Sequence, residues 1–499
     1  MREIEKIVIN EIGIPSILLM ENAAIGVVRH CFEYLKTIDN PCVLVVCGQG
    51  NNGGDGLAAA RLLSVKGIDT DVVFTGGIDA AGADAAVNLR IVKNLGVNIF
   101  SFNTEIKFES YDLIVDALFG TGISRDIEGI YKDLIDSINR YAKYVISVDI
   151  PSGVHSDTGL IMGTAIKAAQ TVTFGFPKTG LYLFPGAECT GIIHFEDISI
   201  PRTLIERVDV KTEVLTGSEA IALLPKRKRR SNKGSFGKVL VFAGSDEMPG
   251  AASLACSAAY EAGAGLVCAC VTRNTASVIQ HFQREIVTRI VSGKNGKYCK
   301  ESFENISGEI KNAGVIVIGP GIGRSIEVTE FVLELIKAAE ASNIPLVLDA
   351  DALFAVSEDL NTFKTLKTLC VITPHPGEMS RLTGLSIEEI LDDVIGTALK
   401  FAKVFNVVTL LKDAHTVIAS PDGNVNINTT GNSALSKAGT GDVLTGMIAG
   451  FISQGCDVFT AAKLGAYFHG KSGEAACMDE SQYSITASNV IDFIPIVMK

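Results

Sequence analysis

From Cys42 onward the chain repeats one device, a short unbroken apolar run followed by a stretch with helical spacing. In the first half the runs are Cys42–Cys47 (CVLVVC), Asp71–Phe74, Asn98–Phe102, Leu113–Leu118, Tyr144–Asp149, Thr171–Phe176 and Gly191–Phe195. Helical patterns separate most of them, as at Leu57–Ser64, Ala83–Leu95 and Tyr131–Arg140. A strand that is apolar on successive residues has no solvent face. Such runs therefore predict a mainly parallel sheet covered by helices on both sides. Right-handed crossovers then bring the loops after the strands to one sheet edge, where ligands of such folds bind.

The pattern restarts after residue 210, with strands expected at Lys238–Gly244, Leu266–Thr272, Val315–Gly319, Pro345–Asp349, Leu369–Thr373 and Val407–Leu411. Helices are expected at Ala251–Gly263, Asp442–Gln454 and Thr460–Met478. A chain of 499 residues exceeds one ordinary core. The charged, turn-rich segment around Thr212 divides it into domains 1–212 and 213–499. The first residues, MREIEKIVINEIGIPSILLMENAAIGVV, combine early acidic groups with helical apolar spacing and read as an amphipathic helix pair rather than a signal peptide. Apolar runs stay short of the ~18 residues a membrane span requires, so no membrane partner is expected. The net charge of −12 argues against nucleic acid, and the basic run Lys226–Arg230 reads as a solvated domain entrance. Eleven cysteines without a CxxC pair suit a reducing, cytoplasmic setting. Cys47, Cys268, Cys270 and Cys370 lie within apolar runs, as small buried hydrophobes do.

Three strand ends of the first half carry polar chemistry. GQGNNGGDG, Gly48 to Gly56, has five glycines in nine residues and opens a helix. Backbone N–H groups there can face an anion with the helix dipole behind them, although a plain tight turn would also use these glycines. Asp116 lies in DALFGTGISRD, and Asp149 and Ser152 lie in SVDIPSG. In a parallel sheet the three loops converge. Asn52, Asp116 and Ser152 would then offer oxygen ligands to a hard cation, and Asp149 could exchange a proton with a ligand. Helix capping is the competing use of each acid.

NNGGDG, DALFGTG and DIPSG, in this order and spacing, resemble the epimerase domain of NAD(P)H-hydrate repair, a Rossmann-like fold. The resemblance implies substrate contact by Asn51, Asn52, Gly53, Gly54 and Asp55, by Gly120, Thr121, Gly122, Ile123, Ser124, Arg125 and Asp126, and by Asp149. It also implies potassium ligation by Asn52, Asp116 and Ser152, with Asp149 as the acid/base residue.

In the second half GNSALSKAGTGDVLTGMIAGF, Gly431 to Phe451, sends a small-residue loop into an apolar helix through Asp442. Backbone N–H groups of such a loop stabilise a transferring phosphoryl group. An Asp in the first helical turn can take the proton of an attacking hydroxyl. GPGIG (Gly319 to Gly323) and TPHPGEMSRL (Thr373 to Leu382) each follow a strand and LLKDAHTVI (Leu410 to Ile418) ends one, adding His375, Glu378 and Lys412.

Together with KGSFGKVLVFAGS these motifs resemble the ADP/ATP-dependent NAD(P)H-hydrate dehydratases, which have a ribokinase-like α/β/α fold. The resemblance implies that Gly323, Pro374, His375, Pro376, Gly377, Glu378, Met379 and Ser380 contact the hydrated nucleotide, with Asp442 at the reacting hydroxyl. It further implies that Lys412, Asp413, Ala414, His415 and Thr416, and Asn432, Ser433, Ala434, Leu435, Ser436, Lys437, Ala438, Gly439, Thr440 and Gly441, hold the adenine nucleotide. Asp413 stands where that family would have Gly. The expected cofactors are ADP or ATP, Mg2+ and K+, the partners small molecules and further copies of the chain. The competing reading is a small-molecule kinase, such as one for a vitamin precursor, fused to a non-catalytic nucleotide-binding module.

Overall fold

The computed structural model describes residues 1–499 except 77–81, 102–105, 202 and 305. The chain divides into two compact units, 1–210 and 211–499. The division lies two residues before the expected boundary because Thr212 and Glu213 already pair in the sheet of the second unit.

In the first unit seven strands form one parallel sheet. They are β1 (Cys42–Cys47), β2 (Asp69–Phe74), β3 (Asn98–Ser101), β4 (Leu113–Ala117), β5 (Val145–Val148), β6 (Gln170–Phe174) and β7 (Ile192–Glu196), in the order β3-β2-β1-β4-β5-β6-β7. Phe102, the last residue of the expected third strand, lies outside the described residues. Successive residues of β1 and β4 are buried, as their unbroken apolar sequence requires. Strand order reverses between β1 and β4, so their C-terminal loops part to opposite faces and leave a crevice. The amphipathic pair forms as Arg2–Ile7, continued by a π turn at Val8–Ile12, and Ser16–Leu35.

The second unit has a ten-stranded sheet. Its strands are β8 (Thr212–Glu213), β9 (Lys238–Phe242), β10 (Leu266–Val271), β11 (Val287–Ile290), then, beyond the small hairpin β12 (Gly293–Lys294) and β13 (Lys297–Tyr298), β14 (Val315–Ile318), β15 (Leu346–Leu348), β16 (Cys370–Ile372), β17 (Val408–Leu411), β18 (Thr416–Ala419) and β19 (Val425–Asn428). The order is β11-β10-β9-β14-β15-β16-β17-β18-β19-β8, reversing between β9 and β14. All neighbours run parallel except β17 with β18 and β18 with β19, an antiparallel extension that the sequence reading did not anticipate. The helix Thr440–Ser453 packs on this sheet, buried along most of its length.

Among the described residues no helix is long and apolar enough to cross a membrane. All eleven cysteines are free thiols, and Cys47, Cys268, Cys270 and Cys370 are buried in strands as expected.

Candidate active sites

At the β1/β4 reversal of the first unit the two loops touch. The Gly48 N–H donates to Ala117 O at 3.0 Å. A Cβ on Gly48 would lie 1.9 Å from Leu118 O, so this approach admits only glycine. The loops border a cavity of about 1130 Å³ lined by Asn51, Asn52 and Asp55, by Gly120 to Asp126, and by Asp149. Gly53 and Gly54 do not line it; they are buried at the helix start, where they allow close packing.

Beneath the loops Asp116 is 1% exposed. Its Oδ1 accepts from Ser152 Oγ at 2.6 Å and from Leu118 N at 3.3 Å. Its Oδ2 accepts from Ser147 Oγ at 2.8 Å and from Ser152 N at 2.9 Å. Burial raises this carboxyl above the usual range, and these hydrogen bonds oppose the rise. Phe119 O accepts from Asn52 Nδ2 at 3.1 Å and from Ser152 Oγ at 3.2 Å. The structure thus brings Asn52, Asp116 and Ser152 together around one backbone carbonyl.

Asp149 follows β5 with a left-handed φ of 67°, a conformation that a non-glycine residue adopts at a site rather than in an ordinary turn. Its Oδ1 pairs with the Lys178 ammonium and accepts from Thr173 Oγ1 at 3.2 Å and Phe174 N at 3.3 Å. Lys178 is 6% exposed and also donates to Thr173 Oγ1 and Phe174 O. Across the cavity Asp55 is held well above the usual carboxylate range, first by burial and then by the facing Asp149 and Glu5, with Lys178 opposing. Two carboxyls in one cavity with environments this different suit a proton donor and a proton acceptor.

In the second unit, carboxylates follow β15. Asp349, 2% exposed, pairs with Lys412 Nζ at 2.9 Å and accepts from Thr445 Oγ1 at 3.0 Å. Asp351 accepts from Gly323 N at 2.9 Å and pairs with Arg324 Nε at 2.8 Å. Between them Ala350 has φ 49°, again left-handed. Gly439 reaches φ 94°, open to glycine, where the loop turns into the helix. Asp442 then stands in the first turn. Its carboxyl is pushed up to about 7, by burial first and next by Asp349, while Lys412 lowers it and Asp351 raises it further. Burial works against the Lys412 charge, but Asp349, Glu378 and Asp442 outweigh it and raise its pKa. Behind the loop the buried His469 ring is hydrogen-bonded to the Thr440 backbone, and burial lowers its pKa to about 4, which keeps it neutral.

Two family models match. One, described as NAD(P)H-hydrate dehydratase, covers residues 239–496. The other, described as the YjeF-related protein N-terminus, covers residues 16–180. The bifunctional NAD(P)H-hydrate repair enzyme of Moorella thermoacetica is 38% identical, with 100% of this chain and 95% of that protein covered. The chain belongs to the bifunctional NAD(P)H-hydrate repair enzymes. The Escherichia coli member of this family is 31% identical over 86% of this chain and 80% of its own. A crystal structure of the ADP/ATP-dependent NAD(P)H-hydrate dehydratase from Bacillus subtilis, grown with ATP and Mg2+, is 31% identical, with a TM-score of 0.50 over 57% of this chain and 97% of that one.

For a repair enzyme of this family, several residues singled out in the sequence have local duties. His375 caps its own helix, with Nδ1 accepting from Gly377 N at 3.0 Å and Glu378 N at 3.2 Å, while Glu378 accepts from His375 N. Met379 is buried core, and Ser380 Oγ donates to Leu385 O. Pro374 O accepts from Lys412 N at 2.8 Å, so the β16 and β17 loops lie side by side. Pro376 and Gly377 form the first turn of that helix. Asp413 and Ala414 are exposed in the turn that leads through His415 to Thr416, the first residue of β18. Asp413 is not among the left-handed residues, so glycine is not needed there.

In the loop before Asp442, Asn432 caps the short turn Ser433–Leu435 through Ala434 N, and Ala434 is buried. Lys437 donates to Tyr483 O, and Thr440 Oγ1 ties back to Leu435 O and Lys437 O across Ser436 and Ala438. Gly441 lies beside the Lys412–Asp349 pair. Lys178, Asp349, Asp351, Thr445 and His469 were missed. Asp349 carries the same signal that marked Asp116, an acid ending an apolar strand. A buried lysine such as Lys178 gives no comparable signal.

Proposed function

We propose that this chain restores hydrated NADH and NADPH, its N-terminal unit interconverting the two epimers and its C-terminal unit dehydrating one of them at the expense of ADP or ATP. The observation that carries the reading is Asp442. It opens a buried helix beside the Lys412–Asp349 pair, and its own side chain makes no hydrogen bond or ion pair with the described residues.

In the dehydratase reading, Asp442 takes the proton of the ring hydroxyl as that oxygen attacks the terminal phosphoryl group. N–H groups of Ala438 to Gly441, with Lys412, face the charge that builds on the phosphate. The nucleotide departs with one phosphate fewer, the ring electrons expel the newly attached phosphate, and loss of a ring proton restores the reduced nicotinamide. Phosphate leaves where hydroxide would not. A relative crystallised with ATP and Mg2+ supports the nucleotide and the ion. Among the described residues no cluster of three or more acidic, His or Cys side chains could hold a metal, and Asp349 and Asp351 are already paired. Magnesium carried chiefly on the nucleotide's own phosphates fits so small a donor set, and there it would supply charge neutralisation.

In the epimerase reading, Asp55 protonates the departing ring oxygen, Asp149 receives the proton of the water that returns on the other face, and Lys178 holds Asp149 in place. Asn52, Asp116, Ser152 and Phe119 O are a hard-oxygen set that fits potassium. Bound there, the ion would neutralise Asp116 beside the phosphate loop.

The test is incubation of the full chain with both epimers of hydrated NADH, Mg2+, and ATP or ADP, following the return of reduced-nicotinamide absorbance. Complete return is expected, and chelating magnesium should lower the rate about a hundredfold or more. No return with either nucleotide rejects the dehydratase; return that stops with one epimer untouched rejects the epimerase. Since Asp442 must be ionised to act, kcat/KM for the hydrate at subsaturating nucleotide should rise with pH through about 7. A flat profile between roughly pH 5.5 and 8 would argue against Asp442 as the base.

A further inference from the structure

The N-terminal helix has a place in the first site that the reading so far leaves unused. The family model for this unit begins at residue 16. Yet Met1, Glu5 and Ile9, spaced four apart, line the same cavity as Asp55 and Asp149. The alternate stripe, Ile4 and Val8, is 2% and 0% exposed in the core beneath. Helical periodicity therefore fixes which face the segment turns to the cavity. Beyond it Glu11 pairs with Arg207. Glu5 is the single ionisable side chain of this cavity-facing stripe. Its carboxylate makes no hydrogen bond or ion pair with the described residues, although it is only partly exposed.

We propose that the helix Arg2–Ile7 is a wall of the epimerase cavity and that Glu5 is a positioning residue of that reaction, acting through the facing Asp55. This rests on the assignment of Asp55 and Asp149 as acid and base. A second carboxylate lining the same cavity as the buried Asp55 disfavours its ionised form and so keeps it a proton donor at neutral pH. The groups facing Asp55 are Asp149, Glu5 and Lys178, with the Cys47 thiol behind it. Asp149 is committed to Lys178 as the acceptor. Glu5 is the one acid in this set with no partner of its own among the described residues.

The experiment measures interconversion of the two epimers of hydrated NADH by the full-length chain across roughly pH 5 to 9, with dehydration of the usable epimer as the control for folding. Glu5→Gln should move the alkaline limb to lower pH, so that epimerisation at neutral pH falls about threefold or more while the rate at acid pH is kept. Glu5→Asp should return the limb toward its parent position, because the charge is restored. Glu3→Gln, on the exposed side of the helix, should match the parent. If Glu5→Gln superimposes on the parent while Asp55→Asn abolishes epimerisation, the helix is packing alone and the proposal fails. If Asp55→Asn is as active as the parent, the acid assignment falls and the role of Glu5 with it. A uniform loss at every pH that Glu5→Asp does not restore would also overturn it, since that is the signature of a structural defect.

Discussion

Asp442→Asn is expected to slow dehydration by about a thousandfold and, without nucleotide, to make the C-terminal unit more stable at pH 8. Both effects come from one cause. Asp442 is poorly hydrated and sits near Asp349 and Asp351, so its carboxyl holds a proton up to about pH 7 against an ordinary value of 3.8. In the unfolded chain the same group ionises near its ordinary value. Between these two values the folded state binds the extra proton, so stability falls as pH rises through that window and the full penalty is present above about 7. At 1.36 kcal/mol per unit the penalty is at most ~4 kcal/mol, and partial exposure of the side chain brings the expected gain to ~2 kcal/mol or more. Asparagine keeps the shape and removes the charge. Urea unfolding of parent and variant at pH 8 and pH 4 checks this, with the gain expected at pH 8 and little difference at pH 4. Equal stability at both would mean that the carboxylate is well solvated. The activity loss has the opposite logic, because the group that the empty fold resists ionising is the one the reaction needs ionised.

The sequence reveals residues whose chemistry is written in a contiguous motif and conceals those assembled by pairing across the sheet. Asn52, Asp116 and Ser152 stand in three separate motifs, yet each lies at or just beyond the end of an apolar strand. A parallel sheet with a reversal at β1/β4 then has to bring them together. Asp349 was equally legible by that rule, since it ends the run LVLDAD, but no glycine-rich loop follows to draw attention to it. Lys178 is different. It lies 29 positions after Asp149 in FGFPKTG, where every sequence cue is for a turn, and surface exposure is the ordinary state of lysine. Its burial comes from β6 and the loop after it folding over the end of β5, which depends on register and not on composition.

His375 shows a local duty that the motif does not announce. A histidine between two prolines invites a chemical reading, and its ring also accepts from two backbone N–H groups and caps the start of the helix. In the same motif Met379 is buried in the core, and the half-buried Ser380 spends its hydroxyl on Leu385 O. The antiparallel strands β18 and β19 were missed because they are short and because β19 interleaves the polar Asn426 and Asn428 with apolar residues. They extend the sheet beyond the Lys412 turn, which gives that turn its fixed position between β17 and β18. The N-terminal helix was foreseen as amphipathic, but its second, cavity-facing stripe emerges only when the ring of loops around Asp149 is assembled.

Asp149→Asn is expected to reduce epimerisation by about a hundredfold to ten-thousandfold while leaving dehydration of the usable epimer intact. It should also destabilise the N-terminal unit by about 3 kcal/mol, because the buried Lys178 would keep neutral acceptors such as Thr173 Oγ1 and Phe174 O but lose the carboxylate that balances its charge. Lys178→Met alone strands Asp149 in the same way. Replacing both together removes the unpaired charge, so Asp149→Asn with Lys178→Met should recover most of the stability and none of the epimerisation. This separates the chemistry of the pair from its contribution to folding, which neither single variant can do. The readouts are the urea unfolding transition of the N-terminal unit and the fraction of a mixed hydrate pool returned to reduced nicotinamide. The double variant should unfold near the parent's midpoint yet stop once the directly usable epimer is consumed. Recovery of epimerisation in that variant would mean that the proton acceptor lies elsewhere in the cavity.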